Sequence, residues 1–162
     1  VRMLIDEAQE TREAVYEARM VAGGSTLTLT AAHAGRTVLL DTATGTVLTL
    51  PTPTGSGNVY KVLCTVTCSS NSHIVKVAAA TEFLMGSLRV VDHADGTCTT
   101  FGALIGNGTT TRSDTITLNH TTTGAVLFGD CFTLTDVAAT IWYVDGTVIG
   151  TGSEATPFSA TV

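Results

Sequence analysis

The chain has 162 residues, with 8 Lys+Arg against 14 Asp+Glu and a net charge of −6. Its length suits one domain with a sizeable core, and a hydrophobic fraction of 44% excludes a chain disordered by composition. So few cations cannot build the basic patch that nucleic acid requires, and no apolar run approaches the roughly 20 residues of a membrane-spanning helix. Neither nucleic acid nor a membrane is therefore expected as a partner.

Threonine is the outlier, with 32 residues beside 16 Gly and only 3 Pro. Its β-branched side chain disfavours helix and suits a pleated surface, so the bulk of the chain reads as all-β. Residues 1–22 are a different polymer, with 8 of the 22 charged residues, one Thr, and neither Gly nor Pro. That composition predicts an α-helix ended by Gly23-Gly24. Within it Val1, Leu4, Ala8, Thr11, Val15, Ala18 and Ala22 follow a 3-4 spacing, a thin coiled-coil seam. Arg2–Asp6 is its one opposite-charge i,i+4 pair, whereas Asp6–Glu10 and Glu13–Glu17 repel, so the helix needs a partner. The stripe Leu4, Ala8, Thr11, Val15, Ala18 and Ala22 is the candidate self-association or docking surface. Packing on its own β domain, a bundle of copies and an arm docked on another protein all remain open. The expected domains are a helical arm, 1–24, and a β domain, 25–162.

The remainder alternates with period two. Candidate strands are Ser25–Thr30, Thr46–Leu50, Asn58–Cys68, His73–Ala78, Phe83–Val91, Cys98–Ile105 and Asp114–Asn119. Cys131–Thr135, Thr140–Asp145 and Thr147–Ile149 close the chain. Turn signals stand at Thr44-Gly45, Pro51–Gly57, Ser69–Ser72, Asp95-Gly96, Gly106–Gly108 and Asp145-Gly146. About ten short antiparallel strands at this spacing predict a β-sandwich or jelly-roll-like domain.

Motifs for chemistry are absent. Cys64 and Cys68, placed on one strand, would lie about 13 Å apart, whereas a disulfide needs roughly 4.4–6.8 Å between Cα atoms. Cys98 and Cys131 have no CxxC spacing, so four free thiols are expected. No secretory h-region follows Arg2, and both features fit a reducing cytosol. His33, His73, His93 and His120 form no HExxH or HxH motif. Asp92-His93-Ala94-Asp95-Gly96 lacks the acidic ladder of a calcium loop and reads as a turn. There is no GxSxG elbow, and Gly150–Ala155 leaves too little chain for a dinucleotide site. A sugar platform wants several coplanar exposed aromatics. Trp142 and Tyr143 are adjacent and must face opposite ways, one of them into the core. No metal, cofactor or enzymatic activity is expected.

The block Leu27-Thr28-Leu29-Thr30-Ala31-Ala32-His33-Ala34-Gly35-Arg36-Thr37-Val38-Leu39-Leu40 resembles a "TLTAADxGRTxxL" opening. It is followed by Thr49-Leu50-Pro51, Gly57–Val62, Ser70–Val77 and a terminal Glu154-Ala155-Thr156-Pro157-Phe158-Ser159. Over most of residues 26–162 the chain is similar to small virion structural proteins of tailed bacteriophages that decorate or cement the capsid. Related openings occur in phage fibre and tail proteins. The resemblance implies no catalysis. It implies assembly as homotrimers on the major capsid protein, at the capsid surface of a virion made in the host cytoplasm. The alternative is a fibre or tail module recognising a host surface glycan or protein.

Overall fold

A computed structural model describes residues 19–106, 111–127 and 129–162. Twelve strands form two sheets: β1 (Met20–Ala22), β2 (Thr26–Thr28), β3 (Thr37–Leu40), β4 (Val47–Thr49), β5 (Val59–Cys64), β6 (His73–Lys76), β7 (Phe83–Asp92), β8 (Cys98–Gly102), β9 (Thr115–Leu118), β10 (Cys131–Ala138), β11 (Ile141–Gly150) and β12 (Phe158–Ser159). Among the described residues the one helical element is a 3-10 turn at Ala31–His33. The larger sheet has the order β1-β3-β5-β10-β11-β7-β8, and the smaller the order β12-β9-β6-β4-β2.

The all-β expectation holds, and most candidate strands fall where alternation placed them. Inward residues of both sheets form one core that includes Val38, Leu40, Tyr60, Val62, Phe132, Leu134, Trp142 and Val144 from the larger sheet and Leu48, Val75, Ile116 and Leu118 from the smaller. As adjacency on one strand requires, Trp142 is 1% exposed and Tyr143 41%.

The antiparallel jelly roll is corrected. Half of the pairings are parallel: β1–β3, β3–β5, β2–β4, β4–β6 and β7–β11. Parallel neighbours need a crossover; between β1 and β6 a strand of the opposite sheet supplies each one, whereas β7 reaches β11 through β8, β9 and β10. From β1 to β6 the chain alternates between sheets, odd strands stacking in one and even strands in the other. Alternation looks the same in either pairing mode, so the sequence pattern cannot separate them.

The helix expected over 1–22 is corrected at its C-terminal end, because Met20–Ala22 is the parallel edge strand beside β3. The rest of that expectation, including Leu4, Ala8, Thr11, Val15 and Ala18, lies outside the described residues. Gly23-Gly24, read as a helix stop, is instead the crossing from β1 to β2. Gly23 is buried so tightly that a Cβ would collide with the Leu39 carbonyl oxygen and Thr46 Cγ2. Gly24 has φ +57° and donates its N–H to Asp41 Oδ1 at 2.8 Å.

Two local expectations also change. The strand through Cys68 stops at Cys64, where β5 loses its partner β10. Asp145-Gly146 is no turn but lies inside β11, opposite Thr133 and Phe132. Gly146 is there because Phe132 crosses it: a Cβ would overlap Phe132 Cα and Cβ and the Cys131 carbonyl oxygen. Substituting Gly146→Ala should therefore destabilise the domain by about 3 kcal/mol or more, since neither backbone can retreat from a central sheet position. Urea unfolding of the variant measures it, and a loss under about 1 kcal/mol would contradict this packing.

Candidate functional site

The outer face of the larger sheet is the most extensive surface that regular structure presents. Strand register carries whole rows across it. One runs Met20, Thr37, Lys61, Thr133, Asp145, Ser87, Gly102, and the next Ala22, Leu39, Leu63, Cys131, Thr147, Arg89, Thr100. A shorter row joins Val59, Thr135, Tyr143 and Met85. These positions alternate with the core residues of the same strands and are exposed or half-buried. Across these rows the charges are Lys61, Asp145 and Arg89, the last donating from Nε to Thr147 Oγ1 at 3.2 Å. The rest is threonine, Ser87 and apolar surface, with Met20 at 60%, Tyr143 at 41% and Val59 at 39% exposure. Of the predicted stripe, Ala22 lies in this face at its β1 edge, and its other members lie outside the described residues.

A cavity of about 280 Å³ opens at one end of the sandwich, lined by Ala31, Pro51, Thr52, Thr54, Ser56, Asn58, Tyr60, Asp136 and Trp142. Its wall is a loop tied down by one carboxylate. Asp136 accepts the N–H groups of Thr54 (3.0 Å), Gly55 (2.6 Å) and Ser56 (3.1 Å), and the hydroxyls of Thr54 (3.2 Å) and Ser56 (2.7 Å). Burial pushes this carboxyl up, but the donors of Thr54, Ser56 and Gly55 outweigh it and hold it at about 2. Behind the loop, Tyr60 and Trp142 meet edge to face with centroids 5.6 Å apart. The Tyr60 hydroxyl donates to the Thr30 carbonyl at 3.1 Å. The Trp142 indole N–H is buried and meets no protein acceptor. Sequence reasoning missed this site, because its parts come from Pro51–Tyr60 and from residues about eighty positions away.

Other polar groups inside the domain serve the fold. Asp130 is buried and accepts from the N–H groups of Ala125 (2.6 Å) and Ile149 (2.8 Å); burial outweighs those bonds and raises its carboxyl to about 6. His73 is buried and accepts the Thr46 N–H on Nδ1 at 3.0 Å, and burial lowers its basicity. All four cysteines are unpaired. Burial, then the Asp130 charge, pushes the Cys64 thiol up to about 12, which makes it a poor nucleophile at neutral pH. Asp92 and Asp95 cap the β7–β8 turn by accepting the Ala94 and Thr97 N–H groups, as the turn reading required. Among the described residues no group of three His, Cys, Asp or Glu converges to hold a metal ion, and no helix is long and apolar enough to cross a membrane.

Comparison with family models, with curated proteins and with solved structures finds no match.

The carboxyl shifts set a pH dependence. Asp130 lies above its ordinary 3.8, so the folded state binds its proton more tightly than the unfolded chain does. That contribution is complete below about pH 4 and is lost as pH rises through about 6. Asp136 is the reverse case, contributing above about pH 4 and losing its contribution as pH falls towards 2. His73, with a lowered value, gains stability with rising pH and so opposes Asp130 in the same window. The difference between wild type and Asp130→Asn isolates the aspartate. The wild-type advantage in unfolding free energy should shrink between pH 4 and 6.5, and a pH-independent difference would contradict the burial argument. Asp136→Ala should cost about 3 kcal/mol or more by denaturant titration at pH 7, because its loop donors are left unpaired.

Proposed function

We propose that the chain is a structural protein of a tailed-bacteriophage virion, a decoration or cement protein that binds the assembled head and holds neighbouring major capsid proteins together, itself assembled as homotrimers. The observation that carries this reading is the broad outer face of the seven-stranded sheet, whose rows are mostly threonine and apolar side chains with Lys61, Asp145 and Arg89 among them. A contact surface must give up its water, and charged side chains make that costly. Charge is depleted where interfaces are buried, and a threonine hydroxyl costs far less to desolvate than a charge when it finds a hydrogen-bond partner across the contact. The resemblance of most of residues 26–162 to capsid decoration proteins points the same way. Each copy needs only a modest affinity, because many copies act on one shell and binding to the assembled state stabilises it by mass action.

The test uses particles with and without the protein. Particles lacking it should release their genome at lower temperature, and adding the purified protein back should restore the difference. Thr135→Arg places a charge in the row of Val59, Tyr143 and Met85 without touching the core. It should leave domain stability within about 1 kcal/mol of wild type and weaken rebinding about tenfold or more. Rebinding at wild-type affinity would exclude this face as the contact. Unchanged heat resistance together with lost adsorption to host cells would favour the fibre or tail reading.

A further inference from the structure

The larger sheet ends at β8, and among the described residues no strand lies beyond it. Natural edges are guarded by charge, proline or a bulge. Cys98–Gly102 carries no charge or proline, keeps an unbroken register with β7, and is exposed except at the half-buried Phe101. Its flanking bonds show which backbone groups face outward. The Asp92 N–H donates to the Thr97 carbonyl at 2.9 Å, and the Ala103 N–H donates to the Gly86 carbonyl at 2.9 Å. Hydrogen-bonded and non-bonded pairs alternate along an antiparallel ladder, so Thr99 and Phe101 turn their N–H and C=O groups to Val90 and Leu88. Cys98, Thr100 and Gly102 turn theirs to the open edge. We propose that β8 pairs antiparallel with β8 of a second copy of this chain about a twofold axis at Thr100, joining two seven-stranded sheets into one.

Three features select a second copy as the occupant. The outward backbone groups are spaced evenly about Thr100, so the edge is complementary to itself. Thr100 meets Thr100 and Cys98 meets Gly102, each pair exchanging N–H to C=O bonds. Side chains agree with the same register. Cys98 faces a glycine on the outer face, and Phe101 faces the small, β-branched Thr99 on the inner one. Charge agrees as well. Asp95 is exposed in the turn before β8. Arg112 is exposed at the other end, stacked 4.4 Å from the Phe83 ring centroid, where its neighbour Ser113 bonds Leu104 through N–H (2.7 Å) and Oγ (2.9 Å). Antiparallel pairing carries the acidic end of one copy to the basic end of the other, whereas parallel pairing would set Asp95 against Asp95. Leu104 and Ile105, 55% and 54% exposed directly after the strand, extend the apolar character of this edge. The contact needs no shell, so it goes beyond the capsid reading and stands whether or not that reading does.

The experiment places thiols in the expected register of the full chain. In a Cys98→Ser background, Thr100→Cys sets two thiols across the axis on Cα atoms about 5.5 Å apart, within disulfide range. Mild oxidation should give a reductant-sensitive band of two chains on a denaturing gel. Gly102→Cys, with Cys98 kept, tests the register, because a Cβ there meets only the Gly86 carbonyl oxygen at 3.9 Å. Peptide mass spectrometry should find residue 102 linked to Cys98 of the second copy, since the two thiols of one chain are about 13 Å apart. Wild type should stay unlinked, because its exposed Cys98 lies about 13 Å along the strands from its counterpart. Thr100→Lys sets two ammonium groups across the axis. It should keep the wild-type melting temperature and weaken self-association in sedimentation about tenfold or more, from a Kd of about 100 µM. The proposal is overturned if neither cysteine variant links, if wild type links as readily, or if Thr100→Lys associates like wild type. A ladder of higher multiples from Gly102→Cys also overturns it, because that means head-to-tail pairing with another edge.

Discussion

The fold depends on one topological constraint: strands that are neighbours in a sheet and parallel cannot be joined by a tight turn. From β1 to β6 the chain meets it by sending each connection through the opposite sheet, so that these strands build both layers at once. The two layers then share a single core from the start of the chain, and each crossing must be narrow. That is why Gly23 lies against the Leu39 carbonyl, where no side chain fits. The second half is built differently. β10 and β11 form an antiparallel hairpin, yet β11 also runs parallel to β7 over ten residue pairs, which locks the two halves of the chain into one sheet.

A core assembled this way leaves few places for charge, and the buried carboxylates sit where loops must be held. Asp136 gathers three successive residues of the Pro53–Gly57 loop, and Asp130 accepts N–H groups from the 125 region and from β11. Their chemistry diverges because their donor counts differ. Many donors keep Asp136 ionised, whereas two donors do not offset the burial of Asp130. The same aspartate that stiffens the loop also lines the cavity beside it.

The surface follows a similar economy. Threonine on the outer face satisfies the pleat and stays soluble without charge, so the seven-stranded sheet can be wide without a dense field of one sign. Along its rows the charges are Lys61, Asp145 and Arg89. The edge at β8 adds to this: Cys98–Gly102 is five residues long, free of charge and proline, and pairs with β7 on one side.

How much was legible from residues alone differs by level. Period-two alternation and threonine content determined the all-β class, the positions of most strands, the opposite facing of Trp142 and Tyr143, and the Asp-capped turn between β7 and β8, because each is set by interactions within a few residues. Pairing direction was not legible, since a strand's alternation is identical beside a parallel or an antiparallel neighbour. Nor was β1: Met20–Ala22 ends a stretch rich in helix formers, and pairing with β3 overrides that propensity. Gly146 read as a turn because Asp-Gly is a strong local turn signal, and only the approach of Phe132 from the next strand explains it as a packing glycine. The cavity was beyond reach for the same reason. Tyr60, Asp136 and Trp142 are unremarkable one by one, and only the tertiary structure, by pairing β5 with β10 and β10 with β11, brings them to one end of the sandwich.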